Sequence, residues 1–503
     1  MNYAPIRVNL PLHIKDELMS DAVRNLEPKS MWNHFADLNE IPRASKKEER
    51  VIEFAKQFGE KLNLPTHVDA VGNVIIKKPA SSGMEDRQTV VLQSHLDMVH
   101  QKNADTVFDF DTEGIKMYVD GDWVRADGTT LGADNGIGVA SIMALLSSTD
   151  IAHPPIEALF TIDEETGMTG AMGLVGGLLD ATIMLNLDTE DDDELTIGCA
   201  GGIDITATGN YETENLEGDW SVYQLKIKGL TGGHSGMDIH KGRGNANKLM
   251  NRLLTFASAE HGARVVSIDG GGLRNAIPRE SVSVVAVKQA DSTAFKAWVS
   301  EMESTLQTEH GTTDPNLSIE VTDAQANSAL SADFQQGFLN AVYSCPVGIY
   351  RMSPDIDGLV QTSNNLARVL VENGAYSVQC LTRSSVDSEK MDEAQAIRSA
   401  FEQIGSSVEF GGSYPGWTPL PGSDIVKVMG DLYREMFQEE PNVNACHAGL
   451  ECGILGTNYP GMEMISFGPN IRGAHSPDEC VQISSVHKYW GFLLETLKRI
   501  PKA

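Results

Sequence analysis

The chain has 503 residues, too many for one ordinary hydrophobic core, so two or three domains are expected. Its 70 acidic residues outnumber the 39 basic ones and give a formal net charge of −31. Because that charge repels polyphosphates and anionic lipid surfaces, we expect neither nucleic acid nor a membrane as a partner.

Six cysteines are scattered along the chain without a CxxC pair, which is typical of reduced thiols. The amino-terminal residues lack the continuous apolar segment and the small-residue cleavage site of a signal peptide. No segment approaches the roughly 18 apolar residues that a membrane span needs. These features predict a cytoplasmic protein.

Residues 1–27 are predicted to form an irregular extension. In residues 28–201, apolar strands such as VVLQSH, ALFTI and ATIMLNL alternate with helices. One of these helices is expected to begin with a capping box, formed by Ser45 and Glu48. Continuous apolar strands that alternate with helices favour a largely parallel sheet with both faces covered. The polar residues that follow the strands then lie where α/β sheets build their sites.

The pattern changes after residue 201. Residues 202–411 contain alternating strands and two strand–helix–strand passages, which predict an inserted α+β domain with two similar subunits. Residues 412–503 look like the remainder of the first domain. The predicted fold class is therefore α/β, with a catalytic domain of 28–201 and 412–503 interrupted by the insertion.

Two apolar strands end in residues that can do chemistry. His95 and Asp97 are two apart and are expected to share one face of a strand, although an HxD pattern alone is weak evidence for a metal site. The strand ALFTI is followed by Asp163, Glu164 and Glu165. Since neighbouring residues of a strand point to opposite faces, the two glutamates are expected in different environments.

Other candidate residues are individually weak. Asp134 lies between glycines where a helix starts, and helix capping is the ordinary role there. The Walker lysine of a phosphate loop is missing from this segment. Asp188 closes the strand IMLNL, and the acidic run after it is expected to be a solvated loop. His234 and His475 lie in glycine-containing loops, where a lone histidine is usually without function.

Together, these residues form a set with the chemistry of a metal site. The candidate ligands are His95, Asp134, Glu165, Asp188 and His475. Imidazole and carboxylate groups suit zinc, manganese or cobalt. The negative charges of three carboxylates and one hydroxide balance two divalent cations, and such a pair activates a shared water. Glu164 is the candidate base for that water's proton.

Nine short motifs occur in a fixed order: VLQSHLDMV, GTTLGADNGIG, EETGM, NLDTE, GCAGGID, GLTGGHSGMDIH, GGLRNAIPRE, HAGLECG and GAHSPDE. Their order resembles the two-zinc metallopeptidase family that contains carboxypeptidase G and acetylornithine deacetylase. Within that family the motifs are similar to those of dipeptidases that act on Xaa-His substrates. The similarity extends from about Ser30 to Ala503.

The resemblance implies a role for each candidate ligand. His95 resembles the ligand of one zinc, and His475 resembles the ligand of the other. Asp134 resembles the carboxylate that bridges the two ions and is followed in this family by a cis peptide bond. Glu165 and Asp188 resemble the remaining ligands. The implied cofactor is two divalent ions per chain, most suitably Zn²⁺, with Co²⁺ or Mn²⁺ as alternatives.

The resemblance also implies the residues that act on the substrate. Asp97 resembles the carboxylate that orients the zinc-binding imidazole, and Glu164 resembles the general base. His234 resembles a lid histidine that stabilises the oxyanion. Asn275 and Arg383 resemble lid residues that bind the polar ends of the substrate.

The implied reaction is hydrolysis of a dipeptide, such as β-alanyl-histidine, by a zinc-bridging hydroxide. The inserted domain is expected to close over the substrate as a lid. The resemblance leaves open whether that lid completes the site within one chain or mediates a homodimer. Two other functions stay open: an N-acyl amino acid deacylase with the same two-metal site, and a non-catalytic acidic protein that binds or buffers metal. The complete set of candidate ligands argues against the latter.

Overall fold

The computed structural model describes residues 22–503, so most of the predicted extension lies outside the described residues. The described part of the extension, residues 22–27, is packed. Val23 is fully buried, and Arg24 Nη1 donates a 2.7 Å hydrogen bond to Asp37 Oδ1. The packed structure therefore begins before the predicted boundary at residue 28.

The chain divides into two compact units. The first contains the described residues up to Gly198, together with Leu420–Asn444 and Ile454–Ala503. The second contains Cys199–Pro419 and Ala445–Gly453. The second unit therefore starts before residue 202, ends after residue 411 and takes in the segment that carries the HAGLECG motif.

The elements follow one another in three segments. The first segment contains α1 (Lys29–Asn39), α2 (Glu49–Lys61), β1 (Thr66–Val68), β2 (Val74–Lys78), β3 (Val90–His95), β4 (Met117–Asp120), β5 (Trp123–Ala126), α3 (Ala133–Ser147), β6 (Ile156–Thr161), α4 (Glu164–Gly167), α5 (Thr169–Gly173), β7 (Ile183–Asn186) and β8 (Glu194–Cys199).

The middle segment contains β9 (Gly201–Asn210), β10 (Thr213–Asn215), β11 (Trp220–Lys228), β12 (Gly233–His234), α6 (Ala246–His261), β13 (Arg264–Gly271), β14 (Ala276–Ile277), β15 (Ser281–Lys288), α7 (Ser292–His310), β16 (Ser318–Asp323), β17 (Ser328–Leu330), α8 (Ala332–Ser344), β18 (Gly348–Met352), β19 (Val360–Glu372), β20 (Ala375–Ser384), α9 (Asp387–Glu402) and β21 (Ser407–Tyr414).

The last segment contains α10 (Asp424–Phe437), β22 (Asn442–Cys446), α11 (Glu451–Asn458), β23 (Glu463–Ser466), β24 (Ile471–Arg472), β25 (Cys480–Gln482) and α12 (Ile483–Arg499). Among the helices of residues 22–503, none is both long enough and apolar enough to cross a membrane.

The first unit is built on an eight-stranded sheet with the order β1-β2-β6-β3-β7-β23-β8-β22. Its central strands β6, β3, β7 and β23 are parallel, whereas β1, β2 and β8 pair antiparallel with their neighbours. Strands β3, β6 and β7 are buried along their whole length, because both faces of the sheet are covered. The predicted α/β class is confirmed, and the parallel part is the centre of the sheet.

The predicted capping box before α2 is wrong. The helix begins at Glu49, and Glu48 stands at its N-cap position without a side-chain cap. Ser45 Oγ instead donates to Asp97 Oδ2 at 2.8 Å. Glu48 Oε1 accepts from the Asp163 amide at 3.1 Å. Both side chains therefore stabilise the loops that follow β3 and β6 and do not cap the helix.

The second unit contains a nine-stranded antiparallel sheet with the order β16-β11-β15-β13-β19-β20-β9-β21, to which β18 adds by pairing with β19. The pairing of β13 with β19 joins the two predicted subunits into one continuous sheet. Helices α6, α7, α8 and α9 contribute fully buried residues to a single apolar core; these include Leu253, Phe295, Phe338 and Phe401.

Helix α3 approaches the central strands closely at Gly138. A Cβ atom at this position would overlap Ser94 Oγ and would lie 2.8 Å from the Leu187 carbonyl oxygen. Ser94 is in β3, and Leu187 directly follows β7. The absence of a side chain thus lets the start of α3 lie against the carboxyl ends of both strands.

We expect Gly138→Ala to lower the free energy of unfolding by about 1–3 kcal/mol, because the added methyl overpacks this contact. Gly430→Ala is the matched control in α10, where a Cβ would meet only Arg434 Nη2 at 3.7 Å. The control is expected to be neutral or to stabilise by up to about 1 kcal/mol. Urea unfolding measures both; equal effects of the two substitutions would contradict the packing argument.

Candidate functional site

The candidate residues of the first unit come from the ends of its central strands. His95 is the last residue of β3, and Asp188 lies two residues beyond β7. Glu165 lies beyond β6 in α4, and Asp134 is in the first turn of α3. Because parallel strands end at the same edge of a sheet, these side chains are brought together there.

The carboxylate of Asp134 lies between the two histidines. Its Oδ1 atom is 3.2 Å from His95 Nε2, and its Oδ2 atom is 3.2 Å from His475 Nε2. The peptide bond from Asp134 to Asn135 is cis, as the resemblance implies. Each oxygen of this carboxylate is therefore directed toward a different imidazole.

The other two carboxylates stand at opposite ends of this arrangement. Asp188 Oδ1 is 3.4 Å from His95 Nε2, and Glu165 Oε2 is 2.9 Å from His475 Nε2. Asp188 Oδ1 and Glu165 Oε1 are buried and accept no hydrogen bond from the described residues. Buried oxygens of this kind are costly unless a donor or a cation meets them. The structure thus brings all the predicted ligands together: His95, Asp134, Glu165, Asp188 and His475.

The ionisation of this group reflects its crowding. Burial raises the pKa of Asp188 to about 6, with His95 opposing that rise and the Asp134 and Glu165 carboxylates adding to it. Hydrogen bonds to Asp134 and Glu165 raise the pKa of His475 to about 11. The carboxylates around His475 therefore favour its protonated form.

Asp97 connects the end of β3 with the start of α4. Its Oδ1 atom is 3.4 Å from His95 Nδ1 and accepts the Glu164 amide at 3.1 Å. Its Oδ2 atom accepts the Ser45 hydroxyl at 2.8 Å and the Glu165 amide at 3.3 Å. Burial alone would raise the pKa of Asp97, but bonds from His95 and the other donors lower it below its ordinary value. Asp97 can therefore fix an imidazole and two glutamates at once.

The two glutamates do not lie on a strand, as the prediction from strand alternation assumed. Strand β6 ends at Thr161, and Glu164 and Glu165 are the first residues of helix α4. The left-handed conformation of Asp163, with φ of 54°, turns the chain from the strand into the helix. The rotation of a helical turn, and not strand alternation, therefore sets the directions of these two residues.

Asp163 is 3% exposed, and it accepts hydrogen bonds from the hydroxyls of Thr166 and Thr169. It forms a second carboxylate group with Glu48 and Asp97. Hydrogen bonds from amides and hydroxyls already occupy these carboxylates. We therefore interpret this second group as the support of the loops and not as a metal site.

The acidic run after Asp188 is also less solvated than predicted. Glu190 is half-buried, and burial together with Asp134 and Asp188 raises its pKa to about 8. Asp192 forms a 2.8 Å ion pair with Lys488 of α12. The run therefore packs against the first unit instead of forming an open loop.

In the second unit, the hydrogen bonds of His234 define its tautomer. Its Nδ1 atom accepts the amides of Gly236 at 3.2 Å and Met237 at 3.0 Å. Burial, aided by the nearby Arg383, lowers the pKa of His234. A neutral ring whose Nδ1 accepts must carry its proton on Nε2. His234 is thus prepared to donate one hydrogen bond from Nε2.

Asn275 and Arg383 lie beside this histidine. The Ser235 amide donates to the Asn275 carbonyl oxygen at 2.8 Å, and Arg383 Nε donates to Ser235 Oγ at 3.3 Å. Arg383 Nη1 also donates to the Tyr414 hydroxyl at 2.9 Å. The structure therefore gathers the predicted residues of the second unit: His234, Asn275 and Arg383.

Sequence reasoning missed His447, although its HAGLECG motif contributed to the resemblance. His447 is 6% exposed, and its Nε2 atom is 2.8 Å from Ser363 Oγ. Burial, followed by the charges of Arg383 and His234, lowers its pKa to about 3. His447 is therefore a neutral part of the polar core of the second unit.

A buried neutral histidine makes stability depend on pH. The unfolded chain protonates His447 near its ordinary pKa of about 6.5, so its contribution to stability falls as the pH drops from 6.5 toward 3. We expect wild type to lose about 2 kcal/mol more than His447→Gln between pH 8 and pH 5. Urea unfolding at both pH values measures this, with Ser363→Ala as a control that retains the histidine. Equal losses in wild type and His447→Gln would contradict it.

The class of protein now follows from fold and site. Histidines and carboxylates that converge at the carboxyl edge of a central parallel sheet, with buried oxygens lacking donors, are typical of a metal-dependent hydrolase. The predictions of a metallopeptidase-family chain and of an α/β fold agree with three comparisons with known proteins.

Residues 91–499 match the family described as Peptidase family M20/M25/M40. The chain is 42% identical over 478 residues to the cytosol non-specific dipeptidase of Escherichia coli (strain K12), covering 95% of this chain and 98% of that protein. It matches the crystal structure of aminoacylhistidine dipeptidase from Vibrio alginolyticus with a TM-score of 0.90 and 42% identity, covering 96% and 98% of the two chains.

Aminopeptidase PepT from Bacillus cereus matches with a TM-score of 0.55 and 15% identity over 94% of this chain and 99% of that one, which shows a shared fold alone. The chain belongs to peptidase family M20/M25/M40, and it is a hydrolase of peptide bonds. The resemblance stated from the sequence is thereby confirmed.

Proposed function

We propose that the chain is a dipeptidase that hydrolyses Xaa-His and other dipeptides, such as β-alanyl-histidine, with two divalent cations. The position of Asp134 carries this proposal, because each of its oxygens faces a different histidine. The names of the relatives from Escherichia coli and Vibrio alginolyticus support a dipeptide as substrate. The name of the former also supports a cytosolic location.

The residues of the site suit such a pair of ions. His95 and Asp188 would hold one cation, His475 and Glu165 the other, and Asp134 both. The buried oxygens Glu165 Oε1 and Asp188 Oδ1 accept no hydrogen bond from the described residues, so their lone pairs are available to bind a cation. Zn²⁺ suits this mixture of nitrogen and oxygen ligands best, and Co²⁺ or Mn²⁺ are acceptable. When bound, the pair polarises a carbonyl and makes water more acidic.

Side chains of the first unit then handle the proton. Glu164 takes the proton of the attacking water on its carboxylate and returns it to the departing amine. Asp97 holds the amide of Glu164 and faces the imidazole of His95, so the base and a ligand share one support. This arrangement keeps the base fixed relative to the water it must deprotonate.

The second unit would act as the lid. His234 would donate its Nε2 proton in a hydrogen bond to the oxyanion, a role that fits the tautomer imposed by Gly236 and Met237. Arg383 and Asn275 would bind the polar ends of the dipeptide. Closure over a short substrate would exclude water from the reaction.

We expect Glu164→Gln to retain both metal ions and to lose turnover by about 10²–10⁴-fold, because only proton transfer is removed. Glu165→Gln is the neighbouring comparison and is expected to lose metal, since it removes a ligand. Metal content per chain and the rate of hydrolysis of β-alanyl-histidine are measured together. Retained turnover in Glu164→Gln would refute the assignment of the base.

A substrate panel separates the proposed dipeptidase from a deacylase with the same site. We expect zinc- or cobalt-loaded protein to hydrolyse Xaa-His dipeptides in preference to N-acetylated amino acids, as judged by kcat/KM. Preference for N-acetylated amino acids would assign the deacylase activity. Failure to hydrolyse either class would favour a metal-binding protein without catalysis.

A further inference from the structure

Glu479 is a buried carboxylate to which the proposed reaction gives no part. It lies between His475 and β25 and is 2% exposed. Burial raises the pKa of Glu479 to about 7, and the negative charge of the nearby Asp134 also raises it. A carboxylate placed among other carboxylates is unfavourable unless specific donors stabilise it.

The donors are the backbone amides of the segment that carries Asp134. Glu479 Oε2 accepts the amides of Leu131 at 2.7 Å and Gly132 at 2.9 Å. Its Oε1 atom accepts the amides of Ala133 at 2.8 Å and Asp134 at 3.2 Å. One side chain thus accepts the amides of residues 131–134. The last of these residues is Asp134, whose carboxylate lies between the two histidines.

Arg43 donates a hydrogen bond to a carbonyl oxygen of the same segment. Its Nη2 atom donates to the Gly132 carbonyl oxygen at 2.6 Å, and its Nη1 atom donates to the carbonyl oxygens of Leu96 at 3.0 Å and Asp97 at 3.1 Å. The φ of Gly132 is 70°, and a Cβ there would overlap Arg43 Nη2. Arg43 therefore ties residues 131–134 to the end of β3.

We propose that Glu479 is a positioning residue, which fixes the Asp134 carboxylate between His95 and His475 through the amides of residues 131–134. This inference rests on the proposed function, because its consequence is the affinity of the site for two cations. Charge-assisted hydrogen bonds from consecutive amides leave the segment little freedom to turn. Residues that support metal ligands in this way commonly account for a 10–100-fold difference in metal affinity.

The test compares Glu479→Gln with Glu157→Gln. Glu157 is also a buried carboxylate of the first unit, 2% exposed, and it accepts the amides of Asp180 at 2.9 Å and Ala181 at 3.1 Å. It lies near the opposite end of β6 from the site. Both substitutions remove a buried carboxylate that accepts amides, and Glu157→Gln also breaks a 2.6 Å ion pair with Lys77, but only Glu479 holds the segment of Asp134.

Metal binding is measured by calorimetric titration of the metal-free full chain with Co²⁺ alone, together with the absorption spectrum of bound Co²⁺. We expect Glu479→Gln to weaken binding by about 10–100-fold and to change the spectrum. Glu157→Gln is expected to lower the unfolding temperature and to leave Co²⁺ affinity and spectrum unchanged. Glu479→Asp, which keeps the charge on a shorter side chain, is expected to lie between wild type and Glu479→Gln.

Wild-type Co²⁺ affinity and spectrum in Glu479→Gln would overturn the proposal, as would an equal loss in Glu157→Gln. If Glu479→Gln does not fold, Glu479→Asp decides in the same way. Failure of both to fold also overturns it, because Glu479 is then a requirement of the fold. Wild-type protein that binds no Co²⁺ would instead refute the proposed function, so the two failures are distinguishable.

Discussion

The placement of one carboxylate between two imidazoles is the constraint on which the first unit depends. Asp134 can face His95 and His475 at 3.2 Å each only if the start of α3 is held at a fixed distance from the strand ends. Several features contribute to that distance. Gly138 allows close approach, Arg43 binds the segment from the side of β3, and the mixed sheet brings parallel strands to one edge.

The electrostatic cost of the site explains its surroundings. Burial is the main cause that raises the pKa of Asp188 to about 6, and the carboxylates of Asp134 and Glu165 at the same sheet edge add to that rise. Bonds from amides, hydroxyls and imidazoles reduce the cost around Asp97. Divalent cations would offset the remainder, which gives a physical reason for buried oxygens without donors in a stable fold.

Much of this arrangement could be predicted from the sequence. His95, Glu165 and Asp188 follow apolar strands, so a parallel sheet brings these three together at one edge, and the order of the motifs indicates the family. The supports could not be predicted, because their partners are distant in the chain: Glu479 and Leu131 are 348 positions apart. The capping box predicted from Ser45 and Glu48 is wrong because both side chains make hydrogen bonds to residues that are distant in the chain.

We expect Asp134 to bridge two cations. Anomalous X-ray scattering from a zinc-soaked crystal, recorded on both sides of the zinc absorption edge, tests it most directly. Two peaks per chain are expected, about 3.5–4 Å apart, with Asp134 in contact with both. One peak is expected beside His95 and the other beside His475. A single peak, or zinc bound elsewhere among the buried carboxylates, would show that Asp134 does not bridge two cations.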